Sequence, residues 1–108
     1  MATTYKVLGQ SNPAATTLTT LYTVPASTSA VCSTLAICNQ GASALYRVAI
    51  SPAAAPLAAA QYIVFDATIN SLDTMFLTIG TTLAATDVVS VYAGTATVSF
   101  NLFGSEVT

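Results

Sequence analysis

Along the chain, β-branched and aromatic residues come in short runs with a period near two, separated by clusters of Gly, Pro, Asn, Asp and Ser. The pattern predicts strands throughout. Residues 5–8 read as a first short strand closed by Gly9-Gln10-Ser11-Asn12-Pro13, whose Gly, Asn and Pro each favour turns for a separate dihedral reason. Residues 18–24 follow and stop at Pro25, which has no N–H to give to a ladder. Residues 30–39 and 45–51 come next, and the Gln40-Gly41-Ala42-Ser43 segment between them predicts a hairpin. The Ala-rich stretch 51–60 favours a helical turn, although Pro52 and Pro56 prevent a long helix. Residues 62–69, 74–79, 88–93 and 98–103 complete the set. A turn at Asn70-Ser71-Leu72-Asp73, a second hairpin at Gly94-Thr95 and a tail over 104–108 join or follow them.

Seven to eight short strands spaced about 8–12 residues apart predict an all-β, antiparallel β-sandwich, immunoglobulin-like or jelly-roll, in a single domain spanning 1–108. Alternation then assigns faces. Ile63/Phe65, Met75/Leu77/Ile79, Val89/Val91 and Val98/Phe100/Leu102 fall on the inner face, and side chains of opposite parity point outward. Each outward row carries one aromatic, Tyr62, Phe76, Tyr92 or Phe103, among Thr74, Thr78, Ser90, Ser99 and Asn101. Any one of them is accounted for by packing across neighbouring strands. Together they are the candidate subunit interface.

Composition sharpens this picture. The chain is 54% apolar and only 6% charged, whereas a typical soluble protein carries roughly 25% charged residues. Water contact must therefore rest on hydroxyls and backbone. Disorder is excluded, because it requires low hydrophobicity and high net charge, and the net charge here is −2. One Lys and one Arg cannot neutralise a row of phosphates or form a polybasic membrane attachment, so nucleic acid and membrane are not expected partners. The most apolar stretch, 53–65, is broken by Pro56 and Gln61 and falls short of the ~20 residues of a membrane-spanning helix. Met1-Ala2-Thr3-Thr4-Tyr5-Lys6 lacks a charged segment followed by an apolar run, so synthesis in the cytoplasm without a secretion signal is expected.

Candidate chemistry is sparse. Without His, no Ser-His-Asp or Cys-His arrangement can be assembled from this chain, and an enzyme is not expected. Cys32 and Cys38, on one extended strand, would have Cα atoms about 20 Å apart, beyond the ~7 Å limit for a disulfide. Free, largely buried thiols are expected. Two Cys without His do not make a zinc shell, and the scattered Gly residues form no phosphate-cradling loop. Asp73 and Asp87 stand at turn-to-strand junctions and read as turn caps. Asp66, inside a strand, is placed to meet Arg47 or Lys6, and Glu106 to contact a neighbouring subunit. No cofactor, metal or small-molecule substrate is expected.

Leu21-Tyr22-Thr23-Val24-Pro25-Ala26, the run over 31–39 and Ala44-Leu45-Tyr46-Arg47-Val48-Ala49 together resemble small β-sandwich virion proteins of tailed bacteriophages, including cyanophages. Tyr62-Ile63-Val64-Phe65-Asp66, Leu83-Ala84-Ala85-Thr86-Asp87-Val88-Val89 and the ending over 98–107 extend the resemblance to nearly the whole chain. It implies a virion structural protein, foremost a capsid cement (decoration) protein that oligomerises and ties the major capsid protein shell together. A tail, neck or fibre subunit is the alternative. Segments 1–10 and 104–108 are then the expected contact arms. A carbohydrate-binding module using Tyr62, Tyr92 or Phe103 as sugar platforms is a third reading, of a different class.

Overall fold

The computed structural model describes residues 2–108. Eight strands are formed: β1 (Thr3–Ser11), β2 (Thr19–Thr23), β3 (Ser29–Asn39), β4 (Ala44–Ser51), β5 (Tyr62–Ile69), β6 (Thr74–Leu83), β7 (Val88–Ala93) and β8 (Val98–Val107). Between β4 and β5 lie two single 3₁₀ turns, Pro52–Ala54 and Ala59–Gln61, the first begun by a proline whose missing N–H costs nothing there. The strands pair in a nested series, β1 with β8, β2 with β7, β3 with β6 and β4 with β5, all antiparallel. Two further pairings, β3 with β8 and β4 with β7, join these into sheets of order β1-β8-β3-β6 and β2-β7-β4-β5. This nested order defines a jelly roll. The immunoglobulin alternative falls away, since it keeps the first two strands in one sheet and here β1 and β2 lie in different ones.

Neither expected hairpin exists. β3 and β4 belong to different sheets, as do β7 and β8, so the turns at Gly41 and Gly94 are corners between sheets. Three corners at this end are tied by the carboxamide of Asn39, only 1% exposed. Its Nδ2 donates to the carbonyls of Ala42 (2.8 Å), Asn70 (3.1 Å) and Ile69 (3.3 Å), and its Oδ1 accepts from Gly41 N–H (3.1 Å) and the Thr97 hydroxyl (3.0 Å). Gln40 N–H donates to the Thr97 carbonyl, and Gly94 N–H to that of Leu45, so each corner is closed by another segment.

Three strands run past their predicted ends, because two glycines read as turn formers are points of close approach. A Cβ at Gly9 would collide with the Leu21 carbonyl, and one at Gly104 with the Val31 carbonyl, so the bare backbone lets β1 reach Ser11 and β8 reach Val107. The tail does not bend away at Gly104. β6 likewise continues through a bulge at Gly80 to Leu83. The segments expected as contact arms are therefore sheet strands, paired from Thr3 opposite Val107 to Ser11 opposite Phe100, and Ala2 and Thr108 exchange both backbone hydrogen bonds beyond them.

Leu35 and Ile37 of β3, Val48 of β4, Val91 of β7 and Phe100 and Leu102 of β8 are wholly buried between the sheets. Burying each such side chain stabilises the fold by about 1.5–3 kcal/mol. Tyr46 packs against Phe100 with ring centroids 6.4 Å apart. The inner sets assigned to β7 and β8 are in this core, and Met75, Leu77 and Ile79 pack partly buried against it. The set assigned to β5 is wrong: Ile63 and Phe65 are exposed, and Val64, Ala67 and Ile69 pack inward. The register slips twice on this strand, from Tyr46 opposite Ala67 to Val48 opposite Val64, and then to Ala49 opposite Tyr62. Asp66, at φ 55°, sits in the first bulge, and each extra residue reverses the faces beyond it.

A bulge at Ser33 does the same on β3. Cys32 before it points into the core and is fully buried, whereas Cys38 is half-buried and shares parity with the outward residues beyond the bulge. Both thiols are free, as expected. The two flanks of the sandwich differ. β1 and β2 come together where Gly9 meets the Leu21 carbonyl, while no comparable approach joins β5 and β6.

Candidate interaction surfaces

The four aromatics expected to form one interface are divided between the two sheets. Tyr62 and Tyr92 lie on the β2-β7-β4-β5 sheet, and Phe76 and Phe103 on the other. On the first sheet, Arg47 stands opposite Tyr92, and its guanidinium carbon lies 4.4 Å from the Tyr92 ring centre and 4.2 Å from that of Phe65. Asp66 takes the guanidinium in a two-point bond, from Nε (2.6 Å) and Nη2 (3.2 Å). Tyr62 completes the cluster, edge-on to Phe65 at 5.0 Å. The bond to Asp66 raises the Arg47 pKa, and the same bond lowers that of Asp66. Phe65 was missed as an outward residue because its direction depends on the β5 bulges, which no residue type announces.

On the second sheet, Phe103 is half-buried beside a shallow groove of about 590 Å³ lined also by Tyr5, Val7, Val31 and Ser105. Tyr5, 84% exposed, is the most solvated aromatic of this face. Phe76 stands apart on edge strand β6, 69% exposed.

All four carboxylates are engaged. Asp73 accepts from Thr74 N–H (2.9 Å), and Asp87 from Ala84 N–H (2.9 Å) and Ala53 N–H (2.8 Å), so both cap turns as expected, and Asp87 also holds the first 3₁₀ turn. Glu106, expected to reach a neighbouring subunit, is 9% exposed and makes two side-chain contacts within the chain. It accepts from the Tyr22 hydroxyl (2.5 Å) and pairs with Lys6 Nζ (2.8 Å). Lys6 first, then Tyr22, hold its carboxyl below the usual range. Burial, then Glu106, push the Tyr22 phenol upward, and burial pushes the Cys32 thiol up to about 11. Among the described residues no group of three or more His, Cys, Asp or Glu is placed to hold a metal ion.

No family model matches the chain, and no curated protein or solved structure matches it either.

Proposed function

We propose that the protein is a non-enzymatic structural subunit of a phage particle, foremost a capsid cement protein that binds the major capsid protein shell. The observation that carries this reading is its surface. Among the described residues ten large apolar side chains are exposed, on a chain with six charged residues, and both of its Lys and Arg side chains are already paired within the chain. Covering such a surface with neighbours desolvates few ions, and a shell that repeats one modest contact many times resists internal pressure. Jelly rolls also recur in viral capsids.

Quantifying the protein in purified particles of the phage that encodes it tests the reading. Hundreds of copies per particle support a shell role, tens or fewer support the tail, neck or fibre alternative, and absence from particles overturns both. The carbohydrate-binding reading is weaker, because Arg47 occupies one face of the Tyr92 and Phe65 rings where a sugar would stack. Glycan binding abolished by Tyr92→Ala would restore it.

A further inference from the structure

An open sheet edge is a row of unpaired N–H and C=O groups, and proteins that remain single protect such edges with charge, proline, bulges or brevity. The sandwich has four edges, formed by β1, β6, β2 and β5. β1 carries Lys6, β2 has five residues and a register slip, and β5 is bulged twice and carries Asp66. β6 is ten residues long and has neither a charge nor a proline. Its bulge at Gly80 leaves Thr74-Met75-Phe76-Leu77-Thr78-Ile79 regular, about 20 Å of flat, uncharged strand.

This segment lies on the flank where the sandwich is open. Met75, Leu77 and Ile79 face the core from the edge yet are only partly buried. Close by in the chain, Leu72 in the β5–β6 turn is 76% exposed, and Phe76 projects on the outer side. An added strand would pair the free backbone groups and cover the half-buried inner row at once.

We infer that β6 pairs antiparallel with β6 of a second copy of this chain, joining two four-stranded sheets into one of eight. A second copy is favoured because two-fold pairing sets the residue on the axis against itself and brings any charge near the axis close to the same charge of the other copy, and β6 has none. Continuity of the inner face requires facing residues of equal parity, so the axis passes through residue 76 or 77. Phe76 then faces either Phe76 or Thr78 of the other copy. The pairing gives form to the self-association that the resemblance implies, and it does not depend on any place in a particle.

Sedimentation of the full chain under reductant over a wide concentration range tests it, with hydrogen exchange of the 74–79 amides followed alongside. Dimer formation is expected, with exchange protection of those amides rising with concentration. Phe76→Lys and Thr78→Lys, both at exposed positions, should each weaken the dimer at least tenfold, with an unchanged melting midpoint at concentrations low enough that the wild type is monomeric, and Tyr5→Lys on β1 should leave the dimer intact. A wild-type monomer at millimolar concentration overturns the inference, as does a dimer that survives both β6 substitutions or is lost in Tyr5→Lys. None of these results bears on copy number in a particle, so this pairing and the virion role fail separately.

Discussion

Tyr22 on β2 donates its hydroxyl to Glu106 on β8, a 2.5 Å bond that joins the two sheets at a site closed from water on most sides. Lys6 completes the group from β1. Because the folded state lowers the Glu106 pKa, its contribution is present above the usual glutamate range and lost as pH falls through the depressed value. Tyr22 is shifted upward, so its contribution is present below pH 10 and lost as the phenol is forced to ionise. Denaturant midpoints should therefore drop below about pH 4.5, less steeply in Glu106→Gln. Tyr22→Phe should cost about 1.5–3 kcal/mol near neutral pH. Identical acid profiles for wild type and Glu106→Gln would remove this role.

Asn39→Asp keeps the shape of the side chain but replaces a donor serving three carbonyls with an acceptor, in a site 1% exposed. One carboxylate oxygen keeps the bonds from Gly41 N–H and the Thr97 hydroxyl, but the other faces three carbonyl oxygens, so the substitution should destabilise the fold by about 3 kcal/mol or more, with loss of hydrogen-exchange protection in all three corners at once. Protection lost in one corner alone would show that they are not held jointly.

Leu72 adopts φ 57° at an exposed turn position. An L-residue there costs roughly 1–2 kcal/mol, which glycine avoids at some cost in unfolded-state entropy, so Leu72→Gly should gain about 0.5–1 kcal/mol in chemical unfolding. Leu57→Gly, at an exposed leucine outside the left-handed region, should give no such gain.

Cys32 is buried with its thiol pushed up to about 11, and Cys38 is half-buried. A thiol reagent at pH 8 should label Cys38 in the native protein and reach Cys32 only at the rate of unfolding. Equal labelling rates would contradict the opposite facing of the two thiols.

Strand positions were legible because runs such as 62–69 and 88–93 are bounded by strong turn formers. Partnership was not. A short turn containing Gly41 serves equally for a hairpin and for a corner between sheets, and what decides is Asn39, a polar residue whose sequence neighbours give no hint of its distant partners Ile69, Asn70 and Thr97. Face assignment held where alternation ran unbroken, as from Val98 to Leu102, and failed beside Asp66, where extra residues reverse it. Of the interface candidates, Phe76 is an exposed aromatic as read. The Arg47 cluster was half legible: the pairing with Asp66 was anticipated, but Phe65 joined it only through the bulges.

The nested strand order also governs how the molecule can come into being. β8 lies between β1 and β3, so until β8 itself leaves the ribosome β1 lacks its sheet partner and is not joined to the β3–β6 pair. Contacts of such sequence separation form late and slowly. Assembly of that sheet is thus deferred until β8 has been made, and through that interval the open edge of the uncharged β6 segment is exposed to premature association.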